Sequence, residues 1–254
     1  MNKYTFDAKA KAEATVEWIR EYAKEANMHK VVLGMSGGKD SYIAAALCAK
    51  AIGKENVFGV ILPCNQQKDI NDAKRCCESI GIDYEIINIG PTFVQLCNSV
   101  KDAEASNEDN RHHIISHPAL INIQPRIRMT VLYAIAQSMR ARVCGTGNLS
   151  ERAIGYCTKW GDMASDFNPL AYFTSIEVMA IGDALGLDKD LVHKVPADGL
   201  TGMSDEENLG LKYIDIHNYL RGNLSELSEE TRNHISEKIK QSEHKRNNIP
   251  SFVP

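Results

Sequence analysis

The sequence predicts an α/β fold in which a doubly wound, mostly parallel sheet carries helices on both faces. The first observation is an alternation of short apolar runs with longer segments of helical periodicity, which is typical of βαβ units. The second is a glycine-rich turn between the first such run and the helix that follows it. The third is composition, because 254 residues with 43% hydrophobic and 24% charged residues suit one domain over residues 1–254.

The elements follow in order along the chain. The first helix is predicted at Ala8–Glu25, where apolar side chains recur with helical spacing. The predicted strands are Val31–Met35, Val57–Leu62, Tyr84–Ile89 and Arg142–Thr146. The later predicted helices are Ser41–Ile52, Asp69–Ile80, Thr92–Ala105 and Arg126–Arg140. Ser106–His117 is polar and aperiodic, so it is predicted to be a loop, either a mobile cover over a site or a solvated segment.

Composition and charge exclude several classes of protein. The net charge of −4 provides no basic field for nucleic acid. No apolar run approaches the ~18 residues that a membrane-spanning helix needs, and the polar Met1–Lys24 segment is no signal peptide. The seven cysteines include no C-x-x-C pair, so reduced thiols are expected rather than disulfides, a zinc site or an iron–sulfur cluster. These patterns predict a cytoplasmic protein that partners neither nucleic acid nor a membrane.

The glycine-rich turn Ser36–Ser41 carries the strongest functional signal. Its sequence is Ser-Gly-Gly-Lys-Asp-Ser, and it lies between the first predicted strand and the second predicted helix. Such a turn presents backbone N–H groups and a helix N-terminus to a phosphate. Gly37 and Gly38 let the backbone approach the ligand closely. Asp40 places a carboxylate where a phosphate-bound Mg²⁺ would lie.

This turn differs from two common phosphate-binding motifs. A Walker A loop needs Ser or Thr directly after Lys, whereas Asp40 separates Lys39 from Ser41. The dinucleotide fingerprint G-x-G-x-x-G also fails, because Ser36 stands two residues after Gly34. The turn instead resembles the S-G-G-x-D-S loop of the N-type ATP pyrophosphatases, the PP-loop family. That resemblance implies cleavage of ATP between its α- and β-phosphates and adenylation of a substrate oxygen.

A second motif follows the last predicted strand. Its first part is Gly145–Glu151, and Glu151 lies on a predicted polar turn. The carboxyl ends of parallel strands meet at one edge of a sheet, so Glu151 and Asp40 could hold Mg²⁺ together. Further along is a mixed-charge cluster suited to a polar ligand, made of Lys159, Asp162 and Asp166. A glycine-rich surface loop with solvated charges is the alternative.

Ordered motifs over most of the chain narrow the resemblance. After the PP-loop come N-x-x-x-R-x-R-M, G-T-x-N-x-S-E, G-Y-x-T-K-x-G-D-x-x-x-D-x-x-P-L and H-K-R, at Asn122–Met129, Gly145–Glu151, Gly155–Leu170 and His244–Arg246. Together the motifs resemble the ammonia-dependent NAD synthetases from about Val31 to Arg246. The resemblance implies an adenine nucleotide alpha hydrolase-like fold. It also implies a ligase that joins ammonia to the nicotinate carboxylate of deamido-NAD, while ATP becomes AMP and pyrophosphate.

The resemblance further implies site residues. The ATP-binding residues would be Gly34, Met35, Ser36, Gly37, Gly38, Lys39, Asp40, Ser41 and Thr146. The Mg²⁺ ligands would be Asp40 and Glu151. The residues that contact deamido-NAD would be Arg126, Lys159, Asp166, His244 and Lys245. Together with Asp162, the two metal ligands Asp40 and Glu151 are predicted to be catalytic.

The implied reaction sets two further expectations. A carboxylate is a poor acyl donor until adenylation makes AMP its leaving group, and catalysis then depends on positioning and charge neutralisation. Ammonia must arrive unprotonated, so Asp162 or Asp166 could accept its proton. About 30 residues precede the first predicted strand, which is too few for a glutaminase domain. Free ammonia, or ammonia passed from a separate protein, is therefore the expected nitrogen donor.

Two positions depart from the family pattern. Ser175 stands where many relatives have an ATP-binding Lys, and Ala197 stands where they have Thr or Ser. A branch of small synthetases is similar to this chain at both positions, so activity is still expected, and neither residue is assigned a role.

Two alternative functions remain open. One is another PP-loop ligase, acting in tRNA modification or purine synthesis, and the other is an inactive nucleotide-binding relative. The acidic charge and the lack of paired cysteines argue against tRNA thiolation, while Asp40 and Glu151 argue against an inactive protein. The family resemblance also implies a homodimer, to whose interface the apolar helix Ile127–Met139 could contribute.

Overall fold

The computed structural model describes residues 4–65, 69–105, 115–194 and 204–252, without the side chains of 103–105. In these ranges the strands β1 (Val31–Gly34), β2 (Val57–Ile61), β3 (Asp83–Ile86) and β4 (Arg142–Val143) form one parallel sheet. Their order across the sheet is β3-β2-β1-β4, so β1 lies between β2 and β4. The predicted α/β class with a parallel sheet is confirmed.

The strands are found where they were predicted, but β3 ends three residues earlier, at Ile86 instead of Ile89. The backbone N–H of Ile89 still donates to Pro63 O at 2.9 Å, so the chain continues alongside β2. The Asn88 side chain then accepts a hydrogen bond from Gly90 N–H at 2.9 Å. This turn directs the chain into the next helix and ends the regular pairing.

β4 is also shorter than predicted, because the chain leaves β1 after two residues. Cys144 N–H still donates to Val32 O at 2.9 Å, but Gly145 N–H donates to Phe167 O at 2.8 Å. The segment up to Thr146, predicted as strand, therefore pairs with the chain around Phe167 instead of extending the sheet. This change of partner opens a gap beside the end of β1.

Helices cover both faces of the sheet. The longer ones in the first part of the chain are α1 (Ala8–Glu25), α2 (Lys39–Ile52), α3 (Ile70–Ile80), α4 (Gly90–Ala105) and α5 (His117–Met139). They are followed by α6 (Leu149–Ile154), α7 (Ser175–Ala184), α8 (Lys189–Val192), α9 (Asp205–Leu209), α10 (Tyr213–Leu220), α11 (Glu229–Gln241) and α12 (Glu243–Arg246). Short 3-10 helices cover Lys54–Asn56 and Leu224–Glu226. None of the helices in the described part of the chain has the length and apolarity needed to cross a bilayer.

Helix α5 differs most from the prediction, since it begins at His117 instead of Arg126. Pro125 lacks an N–H donor, yet the helix continues across this residue. Ser116 caps the true N-terminus, where its hydroxyl accepts from Ala119 N–H. His117, predicted in a loop, is thus helical, and 106–114 of that predicted loop lie outside the described residues.

Two apolar layers enclose the sheet. On one face α1, α2 and α7 pack together, with Ile19, Ile43 and Ile181 fully buried. On the other face the apolar stripe of α5, which includes Ile127 and Leu132, packs against the strands. A third cluster joins α6 to the helices α9 to α11 near the C-terminus. The carboxyl ends of β1 and β4 remain open between these layers, and the functional side chains collect there.

Candidate active site

The loop after β1 is held in a closed turn by its own hydroxyl groups. Ser36 Oγ accepts from Gly38 N–H at 3.2 Å, and Ser41 Oγ accepts from Ser36 N–H at 3.3 Å. Gly37 has a φ of +83°, and a Cβ there would lie 2.8 Å from the carbonyl oxygen of Asp69. Only glycine fits this position, because α3 crosses directly behind the loop.

Helix α2 begins at the end of this loop and points its N-terminus at the gap beside β1. Gly38 is the N-cap residue, and no described side chain accepts from the first-turn N–H groups. Those donors are available to an anion, and the helix dipole adds partial positive charge there. The loop and the helix end together form the strand–turn–helix arrangement that the sequence predicted, here called the phosphate cradle, and its binding of phosphate stays a prediction.

Asn148 brings the two predicted metal ligands together. Its side-chain oxygen accepts from Glu151 N–H at 3.1 Å, and its own N–H donates to Glu151 Oε2 at 3.1 Å, which makes a capping box for α6. Its side-chain NH₂ donates to Asp40 Oδ1 at 3.1 Å. The polar turn predicted at Glu151 is therefore wrong, since this residue lies in the first turn of α6. The Asn-x-x-Glu spacing, a known N-cap signal, could have revealed the helix.

The charges of the two carboxylates affect each other. Burial and the nearby charge of Asp40 raise the pKa of Glu151 well above its ordinary value, although Lys39 and the Asn148 N–H oppose the shift. Two oxygen donors of this kind suit a hard divalent cation. In the described part of the chain, this site included, no group of three His, Cys, Asp or Glu side chains is placed to hold a metal ion. The donor set thus fits a cation that takes its remaining ligands from phosphate oxygens and water.

A cavity of about 490 Å³ extends from the phosphate cradle. The predicted site residues that line it are Gly34, Met35, Ser36, Gly38, Lys39, Asp40, Ser41, Thr146, Glu151, Asp162 and Lys245. They come from segments more than 200 residues apart in sequence, yet they face one volume. Gly37 belongs to the same loop but faces α3.

Asp162 lies on the far wall of the cavity, in the loop that follows α6. Its Oδ1 accepts from Thr158 N–H at 2.8 Å, and the Thr158 hydroxyl donates to Asn122 Oδ1 at 2.7 Å, which ties the loop to α5. Partial removal of the carboxylate from water by the surrounding protein raises the pKa of Asp162, and the hydrogen bond from Thr158 N–H opposes the rise. Because the side chain is exposed, we expect water in the cavity to limit the shift.

The residues predicted to contact deamido-NAD fall into two groups. Lys159 Nζ donates to His244 O at 2.8 Å, and Arg126 Nε donates to Lys159 O at 3.3 Å. Lys245 Nζ donates to the carbonyl oxygens of Gly155 and Cys157, both at 2.7 Å. These contacts make one cluster, in which the side chain of Lys245 reaches the cavity while the other three do not line it.

Asp166 lies apart from that cluster. Its Oδ2 accepts from Val143 N–H at 2.7 Å, and its Oδ1 accepts from the Tyr133 hydroxyl at 3.4 Å. It lines a second cavity of about 420 Å³, bordered by Asn27 and Arg140. The structure thus separates Asp166 from Asp162, although the sequence predicted both in one mixed-charge cluster.

The two positions that depart from the family pattern are only partly described. Ser175 is the first residue of α7, is buried, and donates its N–H to Ser150 Oγ at 3.1 Å. Its hydroxyl finds no hydrogen-bond partner in the part of the chain that the structure describes. Ala197 lies outside the described residues.

Sequence reasoning missed four charged residues of the cavity wall, Asp69, Arg128, Lys194 and Asp205. Arg128 lies in α5, and its Nε donates to Leu62 O at 3.0 Å. Arg128 is the second Arg of the R-x-R motif, and that motif could have indicated its role in the site. Asp205 begins α9, and its carboxylate accepts from the hydroxyls of Tyr156 at 3.3 Å and Tyr213 at 3.1 Å. No pattern near Asp205 in sequence pointed to the site.

A comparison with known families decides the assignment. The model of the NAD synthase family matches residues 11–249. The chain belongs to the NAD synthase family. The predicted family and the predicted enzyme class, an ATP-dependent ligase of NAD synthesis, are confirmed.

Relatives of this NAD synthase family member match over nearly the whole chain. An NH₃-dependent NAD(+) synthetase from Pyrococcus furiosus is 38% identical, over 91% of this chain and 89% of the relative. The solved structure of NMN synthetase from Francisella tularensis has a TM-score of 0.86 and 31% identity, and covers 98% of this chain and 99% of that one. The NH₃-dependent NAD synthetase structure from Campylobacter jejuni has a TM-score of 0.78 and 26% identity, with 98% and 100% coverage.

Proposed function

We propose that this chain joins ammonia to the nicotinate carboxylate of deamido-NAD, with ATP converted to AMP and pyrophosphate. One observation on the geometry of the site supports this proposal. The phosphate cradle, the Asp40 and Glu151 carboxylates, and Asp162 face one cavity of about 490 Å³. Anion donors, a pair of cation ligands and a proton acceptor are what an adenylating amide synthetase requires.

The phosphate cradle is proposed to bind ATP, with Thr146 as a further contact on the cavity wall. The nicotinate oxygen attacks the α-phosphorus of ATP and forms an acyl-adenylate, from which ammonia displaces AMP. The first-turn N–H groups of α2 and the hydroxyls of Ser36 and Ser41 would hold the phosphates. Their contribution is positioning and charge stabilisation, since the adenylate itself makes AMP a good leaving group.

Asp40 and Glu151 are proposed to hold Mg²⁺. An ion held there would neutralise phosphate charge and orient the phosphate oxygens. The chain's own contribution is Asn148, which forms the capping box with Glu151 at the start of α6 and donates its side-chain NH₂ to Asp40 at the start of α2. This geometry supports the assignment of Asp40 and Glu151 as the ligands.

The proton of the attacking ammonia is proposed to pass to Asp162. Sequence reasoning left Asp162 and Asp166 as alternatives. Asp162 lines the cavity, whereas Asp166 lines another one and already accepts two hydrogen bonds. The exposed carboxylate of Asp162 is therefore the better placed acceptor.

Deamido-NAD is proposed to contact the cluster of Arg126, Lys159, His244 and Lys245, with Asp166 as a more distant contact. Lys159→Ala is expected to weaken deamido-NAD binding about 10- to 100-fold, the equivalent of one charge-assisted hydrogen bond. ATP binding should stay nearly unchanged, because Lys159 does not line the cavity beside the phosphate cradle. Calorimetric titration with each ligand separately measures both effects. A loss of ATP affinity without a loss of deamido-NAD affinity would contradict the assignment.

A second candidate reaction is the formation of NMN from nicotinic acid mononucleotide. The observation that favours it is the TM-score of 0.86 with the NMN synthetase structure, against 0.78 with an NAD synthetase structure. The curated relative at 38% identity favours deamido-NAD. Both reactions make the same amide bond, so only the substrate distinguishes them.

The test is an assay of purified protein with ATP, Mg²⁺, ammonium and either acid, with AMP release and the amide product measured. We expect kcat/KM to be higher for deamido-NAD, because its adenylyl half offers additional contacts. A higher kcat/KM for nicotinic acid mononucleotide would replace the first reaction by the second. Absence of AMP release with both acids would exclude both.

We also propose that residues 1–254 form one domain that associates as a homodimer. The apolar stripe of α5 that contains Ile127 is used in the core, so the interface needs other residues than those. Tyr133 on α5 and Val94 and Leu96 on α4 are exposed apolar side chains outside that stripe, and an interface could use them. Sedimentation at assay concentration tests the association, and a fully active monomer would exclude it.

A further inference from the structure

Lys39 is a buried cation beside the two carboxylates of the proposed metal site. Its side chain is only 2% exposed, and its Nζ lies 2.7 Å from Asp40 Oδ2. The same Nζ lies 5.6 Å from the centroid of the Tyr213 ring. Lysine is almost never buried to this degree unless its charge is compensated.

The compensation comes from several carboxylates, not from Asp40 alone. Burial opposes the charge on Lys39, but the attraction of Asp40, Glu151 and Asp205 and the hydrogen bond to Asp40 outweigh it. The ammonium is therefore favoured where it stands, paired with Asp40 and placed among three acidic groups that line one cavity.

Both oxygens of the Asp40 carboxylate accept hydrogen bonds, one from Asn148 and one from Lys39. Oδ1 accepts from the Asn148 side chain at 3.1 Å, and Oδ2 accepts from Lys39 at 2.7 Å. A divalent cation on Asp40 would share an oxygen with one of these donors. Two cations a few ångströms apart repel strongly inside a protein, so Lys39 disfavours a metal ion there unless further negative charge arrives.

We propose that the Lys39 ammonium, paired with Asp40 and attracted by Glu151, takes the place of the divalent cation in the nucleotide-free protein, so that the metal binds these carboxylates only together with ATP. The triphosphate supplies the extra negative charge, which satisfies both the metal and the displaced ammonium. The inference rests on the proposed role of Asp40 and Glu151 as metal ligands. Its consequence is an ordered reaction, in which the metal enters with the nucleotide and not before it.

The test measures Mn²⁺ binding without nucleotide, by the loss of the free-ion EPR signal. Mn²⁺ prefers the same oxygen ligands as Mg²⁺. Lys39→Met keeps an unbranched apolar stem of similar length and removes the charge. We expect it to bind Mn²⁺ about 10- to 100-fold more tightly than the wild-type protein, the equivalent of one charge-assisted hydrogen bond. The double variant Lys39→Met/Asp40→Asn should lose this gain.

Lys245→Met is the matched control. It also removes one positive charge from the cavity wall, but Lys245 donates to backbone carbonyls and frees no oxygen of Asp40. A gain in Mn²⁺ affinity for this control equal to that of Lys39→Met would overturn the proposal, because the effect would then be one of net charge. Equal Mn²⁺ affinity of Lys39→Met and the wild-type protein would overturn it as well.

A second measurement needs no variant and so does not depend on Lys39→Met being able to fold. The melting temperature of the wild-type protein without nucleotide should not respond to about 5 mM MgCl₂, since a ligand stabilises a protein only when it binds the folded state. A clear rise in the melting temperature would overturn the proposal. Neither measurement contains ammonia or deamido-NAD, so their failure would leave the proposed amidation intact. Conversely, an inactive protein could still show the exchange of Lys39 for Mn²⁺.

Discussion

Asp40→Asn and Glu151→Gln are each expected to lower the rate of NAD formation about 100-fold or more, while the protein stays folded. Each change removes one of the two protein ligands of the proposed Mg²⁺ site, and losses of this size are usual when a group that stabilises transition-state charge is removed. The Asn amide has a single oxygen, so it can keep the hydrogen bond from Asn148 or the one from Lys39 but not both, and folding is therefore measured separately. Steady-state rates of NAD and AMP formation measure the effect.

The fold should tolerate both changes. The raised pKa of Glu151, due to burial and to the charge of Asp40, indicates that the two carboxylates repel each other. Neutralising one of them removes that repulsion, and Lys39 keeps a second acidic neighbour. Thermal unfolding followed by circular dichroism checks this expectation. Near-wild-type turnover in a folded Asp40→Asn or Glu151→Gln protein would rule out the metal assignment.

Asp72→Asn is a matched control for these variants. Asp72 lies on α3 behind the phosphate loop and pairs with Lys194 at 2.7 Å, but it does not line the cavity. Its replacement leaves Asp40 and Glu151 untouched, and Lys194, which lines the cavity, keeps its contact with Asp69. We expect turnover to be retained, which would separate the loss of a metal ligand from a general change in charge.

The second large effect is expected for Asp162→Asn, with a fall in kcat of about 100-fold or more at neutral pH. General base catalysis contributes about 10²- to 10⁴-fold, and asparagine cannot accept the proton. The amide oxygen can still accept from Thr158 N–H, so the loop should keep its conformation. The KM values for ATP and deamido-NAD should therefore change little.

The pH profile distinguishes a base from a merely structural residue. Asp162 acts only when deprotonated, so the wild-type rate at constant unprotonated ammonia should fall as the pH drops through its pKa. The surrounding protein raises that pKa, which places the fall above the ordinary range of a carboxyl group. Asp162→Asn should lack this acidic limb, whereas Asp166→Asn should keep it. An unchanged acidic limb in Asp162→Asn would exclude it as the proton acceptor.

The sequence was sufficient to predict the loop of the phosphate cradle and to predict that Asp40 and Glu151 face the same part of the molecule. Both depend on local patterns, a glycine-rich turn after an apolar run and an acidic residue after a second run, and parallel strands bring such ends together. The first helix was also predicted with its correct bounds, since its apolar periodicity is interrupted by neither Pro nor Gly.

Other parts of the site depend on contacts that no local pattern encodes. α5 crosses Pro125 because the stripe around Ile127 gains more from packing on the sheet than the lost hydrogen bond costs. Asp166 was grouped with Asp162 by spacing, but its hydrogen bond to Val143 N–H draws it to the edge of β4. Asp205 lines the cavity from the start of α9, and its carboxylate accepts from the hydroxyls of Tyr156 and Tyr213. Such placements follow from tertiary packing.

The contacts of helix α12 complete the site, so the site forms only after nearly the whole described chain has folded. Lys245 and Arg246 reach back to carbonyl oxygens of Gly155 and Ala153, about ninety residues earlier, while the phosphate cradle forms near the other end. During synthesis the polypeptide therefore contains the phosphate cradle long before the residues of α12, which complete the cavity, have been added. Ligands that touch both walls bind only the fully folded molecule, so their binding reports global folding and raises the resistance of the entire protein to unfolding.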